Sequence, residues 1–119
     1  MATVKLTGTD FDKVVEDNEM VLVDFWASWC GPCRMFAPIY EKASEAHPDI
    51  VFGKVDTDAE IDLAQAYNIS SIPTLMVIRD GIVLHAQAGA LPERSLEELI
   101  SKAREIDMDE VRAEVAKAS

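Results

Sequence analysis

Two cysteines, Cys30 and Cys33, are the only thiols in this sequence, and they stand in the pentapeptide Trp29-Cys30-Gly31-Pro32-Cys33. Two intervening residues let the sulfurs bond to each other without large movement, and Pro32 restricts the turn so that both redox states share nearly one backbone. The pair follows an apolar run that reads as a strand and precedes a helix starting near Pro32. A sulfur on a helix first turn lies near unpaired backbone N–H groups and the positive end of the helix dipole, which favour thiolate over thiol. Thiolate is the nucleophile in disulfide exchange. This placement makes Cys30 the attacking residue and Cys33, one turn further in and expected to be more buried, the resolving one.

Other uses of two cysteines compete with this one. Cys33 and His47 are close to zinc-finger spacing, but His85 lies 38 residues past His47, where a finger needs its second histidine a few residues on. Two inert buried thiols would not need a neighbouring Trp, Gly and Pro. His47 and His85 otherwise read as a helix-end residue and a strand residue without a ligand role.

The elements that must position the pair alternate between strand and helix, which argues for an α/β fold. Strands are expected over Thr3–Leu6, Met20–Ala27, Ile50–Val55, Thr74–Ile78 and Ile82–Ala88. The run from Met20 is apolar on both faces apart from Asp24, as a strand covered by helices on both sides should be. Thr9 is the expected cap of a first short helix carrying Phe11, Val14 and Val15. The helix after Pro32 carries Phe36, Ile39, Tyr40 and Ala43, should kink at Pro38, and must end by Pro48. Thr57 and Glu60 form a capping-box pattern ahead of Ile61, Ala64 and Tyr67. Asp80-Gly81 predicts a tight hairpin, so the sheet should be mixed. Pro92 opens a helix with Leu96, Leu99, Ile100 and Ala103 inward. Asp107 and Glu110 point to a further short helix through Val111 and Val115.

At 119 residues the chain fits one domain, with a core over about 3–104 and an extension over 107–119. A formal net charge of −11 disfavours nucleic acid and anionic membrane surfaces as partners. No basic, apolar leader and no spanning run is visible, and a lone close cysteine pair suits a reducing compartment. The expected location is the cytoplasm.

From Thr3 to about Ala103 the sequence resembles the thioredoxin family. The resemblance rests on Asp24-Phe-Trp-Ala-Ser-Trp-Cys-Gly-Pro-Cys33, on Ala37-Pro38, on Ser71-Ile72-Pro73-Thr74 and on Gly89. It implies a central five-stranded mixed sheet flanked by four helices, here with a C-terminal helical extension. It also implies a cis Ile72-Pro73 bond against the cysteines, with the backbone of Ile72 turned outward to pair with a substrate strand. The implied activity is protein disulfide reduction by an electron carrier that needs no bound cofactor beyond the Cys30-Cys33 dithiol. Implied partners are an NADPH-dependent thioredoxin reductase and oxidised proteins, including cytosolic enzymes and peroxide-handling proteins; the chain is expected to be a monomer. The resemblance leaves room for a binding or chaperone module of the same fold in which the thiols matter little. An oxidase or isomerase of that fold would require an oxidising compartment.

Supporting residues follow. A lone carboxylate in an apolar strand is costly unless neutral or paired, so Asp24 should be buried with a raised pKa. By strand alternation it shares a face with Leu22 and Trp26. Similarity to thioredoxins makes it the acid that moves a proton to or from Cys33, with Lys54 on the neighbouring strand as its moderating partner. Trp29, Gly31 and Pro32 belong to the apolar surface around the nucleophile, and the small Gly89 and Ala90 would let a partner backbone approach. Trp26 is expected in the core, Glu97-Glu98 on a solvated helix face, and Met35 as a surface or core filler.

Overall fold

The computed structural model describes residues 2–118; Met1 and Ser119, the ends of the expected 1–119 domain, lie outside the described residues. In chain order the elements are β1 (Thr3–Lys5), α1 (Phe11–Asp17), β2 (Met20–Trp26), α2 (Gly31–Ala46), β3 (Val51–Asp56), α3 (Ile61–Ala66), β4 (Thr74–Arg79), β5 (Ile82–Ala88), α4 (Glu93–Glu105) and α5 (Met108–Ala118). The strands form one sheet in the order β1-β3-β2-β4-β5. β1, β3 and β2 run parallel, while β4 pairs antiparallel with both β2 and β5. Strand ends differ from the sequence reading by a residue or so, and the mixed sheet is as expected.

β2 is the middle strand, and its residues from Met20 to Phe25 are buried. Alternation splits them between two cores. Val21, Val23 and Phe25 pack with Leu6, Phe11, Val55, Met76 and Ile78, joined by Val14 from α1, Leu63 from α3 and Tyr67 just past its end. Met20 and Leu22 face Phe36, Tyr40 and Ala43 of α2 and Leu96, Ile100 and Ala103 of α4. Asp24, two residues beyond Leu22, therefore projects towards the α2 side. Gly53 on β3 admits no larger residue without rearrangement, because a Cβ there would collide with the Leu6 side chain.

α2 buries Phe36, Tyr40 and Ala43 at helical spacing and runs unbroken past Pro38. It stops at His47, whose N–H donates to Ala43 O, just before Pro48. Asp80 and Gly81 have φ of 52° and 77°, the paired left-handed residues that a two-residue hairpin of matching twist requires. The expected hairpin is there.

Two caps differ from expectation. The cap of α1 is Asp10, not Thr9; the Asp10 carboxylate turns back to accept from Thr7 N at 2.7 Å. At α3 the cap is Glu60, with no side-chain capping bond, so the Thr57–Glu60 box does not form. Both side chains have long-range partners instead. Thr57 Oγ1 donates to Trp26 O (3.1 Å), and Glu60 Oε1 accepts from Gly8 N (2.7 Å). A local pattern cannot show that tertiary acceptors outcompete the local one.

Arg79 at the end of β4 donates to the carbonyls of Ala103 (2.9 Å) and Ile106 (3.0 Å), satisfying the open C-terminus of α4. Asp107 then accepts from Asp109 N at 2.9 Å to start α5, the restart the sequence indicated. Buried Met108 and the Arg112–Asp80 ion pair (2.7 Å) hold α5 to the sheet end bearing the β4–β5 turn.

Candidate active site

The cysteine pair sits where β2 ends and α2 begins, at the C-terminal edge of the parallel strands, where α/β sheets place their functional groups. Cys30 is the N-cap of α2, with Pro32 in its first turn, and its Sγ accepts from Cys33 N at 3.2 Å. The two residues form a disulfide across a Cα–Cα distance of 5.2 Å. They are 4% and 3% exposed, so whole-residue burial does not separate attacker from resolver in this oxidised form. Their surroundings differ. Cys30 Sγ lies 3.7 Å from the carbonyl oxygen of Ile72, on the side of the 71–74 loop, whereas Cys33 lies inside the helix turn.

The Ile72-Pro73 bond is cis. Pro73 is buried and Ile72 half-buried against the cluster of Ala27, Cys30 and Cys33. Pro73 O accepts from Gly89 N at 2.8 Å, which brings the Gly89-Ala90 segment alongside the loop. Gly89 has φ 104°, a conformation natural only to glycine, and Gly89 and Ala90 are exposed. Gly31 is half-buried and Pro32 exposed on the open side of the disulfide. The structure thus brings Gly31, Pro32, Ile72, Pro73, Gly89 and Ala90 to one rim.

Trp29 is 67% exposed, and its indole Nε1 donates to Asp58 Oδ2 at 3.0 Å. Sequence reasoning missed Asp58. Its signal was positional: the turn after β3 emerges at the same sheet edge as the turn after β2. Thr57 stitches the two together, its N and Oγ1 both donating to Trp26 O (2.9 and 3.1 Å).

Trp26 is not a core residue. It is half-buried, packs against the Ala27-Cys30-Cys33 cluster, and has Lys54 Nζ 5.1 Å from its ring centroid. The last residue of β2 lies above the level where α2 closes the core, so its ring becomes a wall of the site.

Asp24 is fully buried, and neither carboxyl oxygen has a hydrogen-bond partner. Burial pushes its pKa up to about 7, with the Lys54 charge pulling the other way. Lys54 is its register partner on β3, yet the two make no hydrogen bond; the ammonium lies over Trp26. The expected partnership is one of field rather than contact. A carboxyl that titrates near neutrality, behind a disulfide at a helix start, is equipped to exchange a proton at physiological pH.

Both histidines have other occupations. His47 bonds Glu97 through Nε2 (2.7 Å) and Arg104 through Nδ1 (3.0 Å), so Glu97 is engaged across α2 and α4 rather than purely solvated. His85 pairs with Gln87 (2.6 Å). Met35 is 72% exposed. Among the described residues no group of three or more His, Cys, Asp or Glu is placed to hold a metal ion. Nor is any helix among them long and apolar enough to cross a membrane.

Comparison with known proteins agrees with this geometry. A family model described as thioredoxin matches residues 2–102. A protein named putative thioredoxin 2 from Streptomyces coelicolor is 62% identical over 115 residues, 97% of this chain and 86% of that relative. The thioredoxin of Bacillus subtilis is 41% identical over 103 residues, 86% of this chain and 98% of its own. Among solved structures, a mutant thioredoxin from Halobacterium salinarum superimposes with a TM-score of 0.82 at 37% identity, covering 88% of this chain and 93% of that one.

Proposed function

This chain belongs to the thioredoxin family and is a dithiol–disulfide oxidoreductase, and from that premise we propose that it reduces protein disulfides with Cys30 as nucleophile and Cys33 as resolving thiol. One observation carries the assignment of roles: Cys30 Sγ occupies the cap position of α2 and accepts the backbone N–H of Cys33. A thiolate there is stabilised by that bond and by the helix dipole.

The exchange runs from the reduced dithiol. The Cys30 thiolate attacks one sulfur of the substrate disulfide, the substrate S–S bond breaks, and the released substrate thiolate takes up a proton. Asp24, as carboxylate, accepts the proton of the Cys33 thiol. The Cys33 thiolate then attacks Cys30 Sγ, forming the Cys30-Cys33 disulfide and expelling the second substrate thiolate. Two electrons pass to the substrate, and no prosthetic group is needed to carry them. Lys54 tunes Asp24 through its charge.

The rim of Trp29, Gly31, Pro32, Ile72, Pro73, Gly89 and Ala90 receives the substrate chain, its small and apolar members giving backbone access to the sulfur. We assign residues 3–104 to the domain that performs this exchange. Recycling falls to a thioredoxin reductase drawing on NADPH, and the substrates to oxidised cytosolic enzymes and peroxide-handling proteins, with the chain acting as a cytoplasmic monomer.

The test is reduction of insulin by dithiothreitol, comparing wild type with Cys30→Ser. Rapid precipitation of insulin with the wild type and only background with the variant is the expected result. Background rates for both would overturn the reductase reading and leave a binding module of the same fold.

A further inference from the structure

The segment Trp29-Cys30-Gly31-Pro32-Cys33 is entered from Ser28 and left through Arg34, and Arg34 grips both of its ends. The Arg34 backbone N–H donates to Cys30 O at 3.2 Å as α2 begins, and the guanidinium Nη1 donates to Ser28 O at 2.9 Å. A helical side chain leans towards the N-terminus of its own helix, and positions i and i+4 stand one above the other on one face. Arg34 stands in that relation to Cys30, the cap of α2, and its side chain runs back to the carbonyl two residues before the sulfur. One side chain thus closes a ring around the whole redox segment.

The placement of this cation is unusual. A positive charge near a helix N-terminus opposes the helix dipole, and α2 carries no acid in its first turn to offset it. The chain has 22 acidic residues against 11 lysines and arginines, and other helix cations find carboxylates. Lys13 pairs with Asp17, Lys42 with Glu93, Arg104 with Asp49 and Arg112 with Asp80. Among the described residues no carboxylate lies within ion-pair distance of Arg34, whose guanidinium grips the Ser28 carbonyl instead. The residue is exposed, so burial does not hold it there either. The result is an unneutralised charge laid on the turn that Cys30 N closes by donating to Ala27 O at 3.2 Å, the turn that bears the attacking sulfur.

Reduction removes the covalent tie between Cys30 and Cys33, whereas the Arg34 clasp involves no sulfur and survives it. A nearby positive charge also favours thiolate over thiol. We propose that Arg34 is a positioning residue for the Cys30 thiolate: by clasping Ser28 O it holds the 28–33 segment to the first turn of α2 in the reduced form, and it keeps its charge on the turn that bears the attacking sulfur. A guanidinium suits the task, because it stays charged while its N–H groups donate in a fixed plane. The proposal rests on the reading of Cys30 as nucleophile. Arg34 exchanges no proton, and no bond of the exchange passes through it.

The test compares wild type, Arg34→Met and Arg34→Lys in the reduced full-length chain. The rate at which iodoacetamide alkylates Cys30, located by mass spectrometry, is followed against pH to give the midpoint of thiolate formation. Arg34→Met should raise that midpoint by about half a pH unit, the modest size expected of an exposed, screened charge. Insulin reduction at neutral pH should fall by about threefold, the same half unit expressed as a rate. Arg34→Lys keeps the charge and a donor and should recover most of both. Thermal unfolding of the variants separates this from a structural role: a slower rate that follows a lower melting temperature, with the Cys30 midpoint unmoved, overturns the proposal. So does a midpoint displaced as far in Arg34→Lys as in Arg34→Met, since the charge would then have no part. Failure of the underlying reading looks different: Cys30→Ser would then reduce insulin at the wild-type rate.

Discussion

Asp24 and Lys54 stand opposite each other in register on the parallel β2–β3 pair, yet the carboxyl accepts no hydrogen bond and the ammonium sits over the Trp26 ring. The lysine therefore acts on Asp24 across a gap, by its field, and burial outweighs it. An acid held this way is a thermodynamic liability that the fold tolerates behind its reactive sulfurs.

The first prediction concerns stability against pH. Burial raises Asp24 from 3.8 in the unfolded chain to about 7 in the folded one. Between those values the folded state binds the proton more tightly, so this group's penalty is absent below about pH 4, grows as pH rises, and is complete above about pH 7. The gap corresponds to roughly 4 kcal/mol at 1.36 kcal/mol per pH unit. Asp24→Asn should thus stabilise the protein by about 2–4 kcal/mol at pH 8 and little at pH 4. Urea unfolding at both pH values checks this, and a variant less stable than wild type at pH 8 would contradict the burial argument. Insulin reduction by the variant should be slower at neutral pH.

Lys54→Met removes the charge that favours ionised Asp24. The midpoint of Asp24 should rise further, by about one pH unit. The pH at which insulin reduction reaches half its maximal rate should move upward with it. An unmoved midpoint in a carboxyl NMR titration would mean that the aromatic ring, and not Asp24, is what Lys54 serves.

A third prediction separates the extension from the chemistry. Met108 is buried at the start of α5, at the end of β4 marked by Arg79 and Asp80, whereas Ile72, just before the other end of β4, packs against the cysteines. Met108→Ala should cost about 2 kcal/mol in denaturant unfolding, with rates of insulin reduction unchanged. A large loss of activity at full stability would place α5 in the functional surface instead. The Streptomyces coelicolor match spans 115 residues of this chain and so takes in most of α5, whereas the match to Bacillus subtilis thioredoxin spans 103.

Much of the site was readable from local chemistry. Two sulfurs at a strand-to-helix junction and one acid in an apolar strand are each anomalies that sequence exposes directly, because neighbours along the chain create them. The same holds for Asp80-Gly81, whose turn needs only its own two residues. Reading failed where a side chain had a choice of partners. Thr57 and Glu60 looked like a reciprocal cap and instead bind Trp26 O and Gly8 N. Trp26, apolar and in a buried strand, looked like core and became a wall of the site because it is the strand's last residue.

By itself, then, the sequence singled out the atoms to which we assign the chemistry: the Cys30 and Cys33 sulfurs, and the Asp24 carboxyl whose cost an apolar strand makes visible. Only the tertiary structure decided how those atoms are tuned. It placed Lys54 in register with Asp24 but turned its ammonium to Trp26, and brought Asp58 to the Trp29 indole. These relationships join strands and helices far apart in the chain, and they are selected by the packing of the whole sheet rather than by the propensity of any one segment.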